Sequence, residues 1–349
     1  MKGSKTMANE KLQQPNTNAK VEVPISLGRK KISIDQFAIL GAFIVLFVLF
    51  SFVAKNFFTM RNVATLALQT STVTMMGIGV TFTIITGGID LSIGSVIALT
   101  GTIAVIAANA GMPIWLSMIM GLLTGILCGF LNGIMITGLR IPPFIATLGM
   151  MMVARGFVLT ITNAMSRPAP DAFGSLGNDR LFTLYDSQHV NEIFPGIGYP
   201  VFIMIIMAIV FGFFLRKSRI GRYTYAVGSN EEASRLSGIK VTRIKVIAYV
   251  ISGFCAAFAG IVLASRMVVS QPNGGISYEL NAIAASVIGG TSLMGGIGTV
   301  SGAVIGSFII GVLTVGLTMG GASYFVQQIA IGLVVIGSVS IDQIRYKKK

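Results

Sequence analysis

Charge is what this chain has least of. Only 11% of its 349 residues are Asp, Glu, Lys or Arg, where a soluble globular chain carries about 25%. Acid is the scarcer sign, 12 residues against 26 basic, for a formal net charge of +14. Cysteine is nearly absent. Cys128 and Cys255 each lie inside an apolar run and read as small buried hydrophobes, which excludes a disulfide framework or a thiolate metal site. The single histidine, His189, lies in a polar loop, so neither a multi-histidine metal site nor a buried histidine relay can be built. No G-x-x-x-x-G-K-[ST] phosphate loop occurs, so ATP consumption, if any, belongs to a separate subunit. No recognisable catalytic set is present either.

What fills the chain instead is apolar and small. Hydrophobic residues make up 53%, with 42 glycines and 18 methionines. Glycine lets membrane helices approach closely, and methionine fills irregular apolar gaps. The expected fold is therefore an all-α integral membrane protein. Ten apolar segments can be read: 37–54, 63–85, a run after residues 86–95 up to Ala110, 113–138, 143–164, 201–215, 246–265, 280–290, 300–319 and 324–341. The eighth is short and glycine-rich, and its crossing is left open. Residues 1–36 form a cytoplasmic N-terminal tail, of which the polar, basic stretch 1–31 is expected to be disordered. It lacks a cleavage pattern after the first apolar run, so that run is expected to be a retained span. Residues 37–341 make one transmembrane domain, and 342–349 a basic end.

The cations are not scattered. Seven lie in the N-terminal tail, one is Arg140, eight fall in 216–245 and four at the C-terminus, or 20 of the 26. With ten spans and both termini cytoplasmic, all four clusters face inward, as the positive-inside rule requires. That placement argues for weak attraction to anionic membrane lipid and against nucleic acid. Loop 166–199 holds Asp171, Asp179, Asp186 and Glu192 against Arg167 and Arg180, which fits an outer loop, as does 266–279. Two glycine-rich breaks, TGGIDLSIG and GGTSLMGGIG (289–298), echo each other weakly. Interrupted helices of this kind are tolerated where backbone is buried in protein or lines a cavity.

The basic loop 216–245 carries a short helix with its ends written in. Ser229 and Glu232 have capping-box spacing, Glu231 and Arg235 form an i, i+4 pair, and Gly238 stands where a left-handed residue would end the helix. Ala233, Leu236 and Ile239 leave one small apolar face. A helix of two turns is not stable alone, so flanking helices and a partner protein are expected to clamp it.

TGGIDLSIGS (86–95), RIPPFIATLGMMMVARG (140–156), YAVGSNEEASRLSGI (225–239) and YELNAIAASVIGGTSLMGG (278–296), with the ten-span layout, resemble the permease subunit of ribose-type monosaccharide ABC importers. The resemblance runs in order over about residues 37 to 345. Within it, Glu232-Ala233-Ser234 and Gly238 resemble the E-A-A-x-x-x-G signature through which such permeases touch their ATPases, with Ser in the third place. The resemblance implies a permease in the bacterial inner membrane, paired with a second copy and not itself an enzyme. It also implies a cytoplasmic ABC ATPase that binds the ATP and Mg, and a periplasmic binding protein that delivers the sugar. The expected coupling surface is Ser229, Asn230, Glu231, Glu232, Ala233, Ser234, Arg235, Leu236 and Gly238.

Four polar residues are candidates for the pathway or the bundle interior. Asp90 reads as an N-cap for a helix starting at Leu91 or as a ligand. Arg155, about 18 Å into its span at ~1.5 Å per residue, is costly unless it finds an acceptor: Asp90, Glu279, Asn163 or backbone carbonyls. Asn132 and Asn163 read as pathway residues or as interhelical hydrogen bonds. Asn273, Tyr278 and Glu279 are candidates for docking the binding protein. The competing reading is an ion-coupled secondary transporter, for which Asp90 is the main intramembrane acid.

Overall fold

A computed structural model describes residues 34–185 and 192–347. The tail 1–33, His189 and Lys348 to Lys349 lie outside the described residues. Local chemistry fixes most helix ends. After α1 (Ile34–Val53), the Thr59 hydroxyl accepts the Asn62 amide at 3.3 Å and opens α2 (Met60–Ile85). α3 (Ile93–Asn109) and α4 (Ile114–Thr137) follow, and Pro143 takes the first position of α5 (Pro143–Thr162), where a missing N–H costs nothing. The next loop carries β1 (Arg167–Pro168), a 3-10 turn at Asp171–Gly174, α6 (Ser175–Asn178), β2 (Arg180–Leu181), β3 (Leu184–Tyr185), β4 (Glu192–Phe194) and β5 (Ile197–Gly198).

α7 (Tyr199–Lys217) ends where Ser218 accepts the Gly221 amide at 2.9 Å and opens α8 (Arg219–Ser229). α9 (Glu231–Leu236), α10 (Val241–Met267), β6 (Val269–Ser270) and the half-length α11 (Tyr278–Ile288) come next. Thr299, accepting the Gly302 amide, then starts α12 (Val300–Met319), and α13 (Tyr324–Lys347) closes the chain.

The ten apolar segments coincide with α1 to α5, α7 and α10 to α13. Among the described residues six helices, α2, α4, α5, α7, α10 and α12, are long and apolar enough to cross a membrane. Shorter apolar stretches lie in α1, α3, α11 and α13. Large apolar side chains point outward from these helices, among them Leu127 and Phe130 on α4, Phe157 on α5 and Ile209 and Phe213 on α7. That outward apolar surface suits hydrocarbon, not water.

α10 is the central post, mostly buried from Ala248 to Ser265. α4 lies against it along three glycines spaced four apart, Gly125, Gly129 and Gly133, while Gly121 faces the Thr100 carbonyl of α3. A Cβ on Gly129 would run into the Tyr249 carbonyl, and one on Gly133 would stand 2.8 Å from the Val246 Cα. The two backbones therefore touch, and the packing is van der Waals contact between small residues.

The strands join the loops at one end of the bundle. β1 pairs antiparallel with β6, β2 with β5 and β3 with β4. The loop after α5 is thus tied to the loop after α10, and Asn109, at the end of α3, donates to the Pro168 carbonyl at 2.9 Å. The basic segment 216–245 lies at the other end. There the Gly296 amide donates to the Ile85 carbonyl at 2.9 Å, so the two glycine-rich breaks are brought together.

Candidate functional site

At the basic end α8 and α9 form a short angled pair. Two positive residues close α7, Arg216 and Lys217, where they oppose the negative end of the helix dipole. Tyr225 anchors α8 by donating to the Gly298 carbonyl at 2.7 Å. Burial pushes its hydroxyl up to about 12, so it stays a donor throughout the physiological range. Gly228 is pressed so closely on the Ile85 carbonyl and the Gly296 amide that no Cβ fits. α8 is therefore locked to both glycine breaks, at the end of α2 and in the segment before α12.

The capping box expected at Ser229 is not the cap. Ser229 closes α8, and Asn230, in extended backbone, opens α9 by accepting the Ala233 amide at 2.9 Å. The register shifts by one because α8 continues through Ser229. At the other end of α9, Gly238 has φ +80°. The Gly238 amide donates to the Arg235 carbonyl and the Ile239 amide to the Ser234 carbonyl, both at 3.0 Å, which is the Schellman pattern. Glu231 pairs with Arg235 at 3.3 Å. It also reaches Lys245, 14 residues on, at 2.6 Å, a contact that sequence spacing could not reveal. Both pairs are partly exposed, so each contributes no more than about 1 kcal/mol.

Of α9's own side chains, Ser234 turns inward, while Glu232, Ala233 and Arg235 are exposed and Leu236 is 87% exposed. Ile239 is half-buried and packs toward Val227, Val241 and Ile244. The expected apolar face is thus split. Ile239 roots the helix, and Ala233 with Leu236 projects away from the bundle.

The interior candidates fall into two groups. Asp90 is 1% exposed. It accepts from the Ser92 amide (3.0 Å), the Ser92 hydroxyl (2.6 Å) and, across the bundle, the Ser252 hydroxyl of α10 (2.7 Å). Asn132 on α4 donates to the Ser92 hydroxyl at 2.9 Å. Asp90 therefore does not cap a helix at Leu91. The helix starts at Ile93, and Asp90 holds the turn before it while tying the break to α4 and α10. Four donors and acceptors on three elements form one buried network, whose members are worth more together than singly.

Arg155 finds backbone, not a carboxylate: its guanidinium donates to the Pro272 carbonyl at 2.5 Å and the Gly274 carbonyl at 3.0 Å. Asn163 is the left-handed cap of α5, φ 53°, a place Asn tolerates better than most residues. The acceptors of Arg155 belong to a segment that dives into the bundle. Gly275, φ +73°, presses on Gly94 near the start of α3, whereas the far end of α3 touches Pro168. Ser270 meets Thr102 midway along α3 at 2.6 Å, eight residues beyond Gly94, so residues 271–275 descend roughly 12 Å at ~1.5 Å per residue of α3. α11, 11 residues or about 16 Å, covers only about half of a ~30 Å hydrocarbon core. Residues 272–277 form consecutive turns with Pro272 and Gly275 buried and Gln271, Asn273 and Ile276 exposed, and α11 follows them directly. Glu279 and Tyr278 sit half-buried at the foot of this descent, while Asn273 is exposed.

A bundle of apolar helices, two of them preceded by non-helical segments that meet at its basic end, and a projecting capped knob at the same end define a multi-pass membrane permease. The chain belongs to the family described as branched-chain amino acid transport system / permease component, whose model matches residues 62–339. It is 41% identical over 308 residues to the ribose import permease protein RbsC of Haemophilus influenzae, covering 88% of this chain and 93% of that protein. It is 39% identical over 307 residues to RbsC of Bacillus subtilis, covering 87% and 92%. To the L-arabinose transport system permease protein AraH of Escherichia coli it is 38% identical over 316 residues, covering 90% and 92%.

Proposed function

We propose that this chain is the membrane-spanning subunit of an ATP-driven importer, carrying a pentose or similar monosaccharide inward across the bacterial inner membrane. The relatives that name a substrate name ribose and L-arabinose, and near-full-length similarity to them outweighs the amino-acid wording of the broader family. Two copies form the pathway. Each crosses ten times with both termini in the cytoplasm, which puts 216–245 inside and the joined loops 166–199 and 266–279 outside. A separate ATPase holds the ATP and Mg and seats the Ser229–Gly238 region, and a sugar-loaded binding protein docks on the outer loops, with Asn273 the exposed contact. Asp90 and Asn132 hold the break before α3, Arg155 holds the 272–274 turn, and Asn163 ends α5.

One observation carries this reading. Leu236 and Glu232 project from a helix whose root is fastened to both glycine breaks, so force applied there reaches the interior. The test is substitution on the knob alone. Glu232→Lys and Leu236→Arg remove no internal contact, and each should abolish sugar uptake and co-purification of the ATPase while membrane insertion stays intact. Normal uptake with normal co-purification would overturn it. Uptake by the purified chain alone, driven by an ion gradient, would favour a secondary transporter.

A further inference from the structure

We infer that a groove at the basic end, between α8 and the start of α10, binds an anionic phospholipid, which fastens the root of the α9 knob to the membrane. The groove encloses about 540 Å³, within the roughly 300–1,000 Å³ of small-molecule pockets. Ile220 and Tyr223 of α8 form one wall, and Lys240, Arg243, Ile244 and Ile247 the other. Gly238 and Ile239 close its end, so the groove abuts the Schellman turn that finishes α9.

Three observations identify the occupant. The first is charge. Lys240 and Arg243 are exposed, and among the described residues neither meets a carboxylate, whereas Arg235 and Lys245 are both held by Glu231. Two unpaired cations in a concave site suit a phosphate. The second is depth. α7 passes from Phe213, Phe214 and Leu215 to Arg216 and Lys217 just before α8 begins, so this level is the edge of the hydrocarbon. α10 starts at Val241 and turns apolar within two turns, which sets Lys240 and Arg243 at the headgroups and Ile247 deeper. Tyr223, 41% exposed, is a residue type enriched at that level. The third is continuity. Between Ala248 and Val262 every residue of α10 is buried except Val250, Phe254 and Phe258. With Arg243 and Ile247 these recur at steps of three or four and share one face. Phe211 of α7 stands beside Phe254, ring centroids 6.0 Å apart, so the stripe floors a seam between α7 and α10. From Ile247 to Phe258 is about 16 Å at ~1.5 Å per residue, close to half of a ~30 Å hydrocarbon core. A cationic mouth leading into an apolar furrow one leaflet deep fits a negatively charged lipid. Free phosphate would leave the furrow bare, and a cytoplasmic protein cannot reach it. The choice of the cytoplasmic leaflet rests on the topology proposed above; the chemistry of the site does not.

Two measurements test this, and neither involves transport, so either reading can fail without the other. Trp115 is the chain's one tryptophan, so Tyr223→Trp in a Trp115→Phe chain places a single reporter in the groove. In phosphatidylcholine vesicles, brominated phosphatidylglycerol should quench it at least about tenfold more effectively than brominated phosphatidylcholine, a preference of ~1.4 kcal/mol that two cations can supply. Adding Lys240→Gln/Arg243→Gln should erase that preference, and Lys240→Arg/Arg243→Lys should keep it. Inorganic phosphate should not compete, and Trp115 of the native chain, at the opposite end of the bundle, should show no preference. In the native sequence, hydrogen exchange at Gly238 and Ile239 should be at least about threefold slower in nanodiscs containing phosphatidylglycerol than in phosphatidylcholine alone, with the glutamine variant indifferent. Equal quenching by the two lipids, a preference that survives the glutamine pair, or competition by inorganic phosphate would each overturn the site. Equal quenching together with shielding by the purified ATPase would assign the groove to that partner instead. Exchange indifferent to lipid would overturn the bracing of α9.

Discussion

Weakening the ends of α9 without touching its exposed face should uncouple transport from ATP hydrolysis. Asn230→Ala deletes the acceptor of the Ala233 amide, which costs about 1 kcal/mol for a helix cap. Gly238→Ala puts a side chain at φ +80° with nothing within 4 Å of the new Cβ. Its penalty is therefore backbone conformation alone, about 1 kcal/mol. The Glu231–Lys245 bridge is partly exposed and cannot make up the loss. Together the two changes lower the local stability of a six-residue helix by about 2 kcal/mol, or roughly 30-fold in its opening equilibrium. Hydrogen exchange should show the amides of Ala233, Gly238 and Ile239 exchanging about that much faster, with α8 and α10 unchanged. Sugar imported per ATP hydrolysed should fall in the same variant, and Gly238→Asn, which tolerates the left-handed region, should lie between. Faster exchange with an unchanged sugar-to-ATP ratio would refute the idea that α9 must be rigid to transmit force.

Three further outcomes follow from the interior. Asp90→Asn keeps an oxygen for Ser92, so uptake should persist, whereas Asp90→Leu strands the Ser92 amide and the Ser92 and Ser252 hydroxyls and should cost about 3 kcal/mol or more; thermal unfolding and uptake read both, and a dead Asp90→Asn protein that unfolds normally would point instead to proton coupling. Gly129→Leu pushes α4 off the Tyr249 carbonyl and should destabilise by at least about 1–3 kcal/mol, seen as a lower melting temperature in detergent; an unchanged melting point would contradict the backbone contact. Arg155→Met leaves the Pro272 and Gly274 carbonyls unpaired, and hydrogen exchange across 271–277 should rise while Arg155→Lys shows a smaller change.

The apolar segments were legible because helix length and hydropathy are local properties, and so were the Glu231–Arg235 pair and Gly238. Ser229 reads as a cap from sequence because S-x-x-E says nothing about whether the preceding helix, α8, has already ended. Lys245 could not be paired with Glu231 by spacing, since 14 residues and a turn separate them. The descent of 271–275 was hidden for a similar reason: Pro-Asn-Gly-Gly reads as a surface turn, and only the carbonyls facing Arg155 and the contact of Gly275 with Gly94 show that Pro272 and Gly275 are buried while Gln271 and Asn273 stay exposed. Thr70 and Thr72 stood out as polar interruptions of a span. What makes Thr70 notable, a buried hydroxyl without a partner pressed against Gly311, depends on α12, more than 200 residues away in the chain.

The most direct test is site-specific photo-cross-linking from position 236 in native membranes, replacing Leu236 by a photoreactive residue. The account predicts one adduct, to the nucleotide-binding subunit, whose yield changes when ATP is added. An adduct to a periplasmic protein, or none to any ATPase, would contradict it.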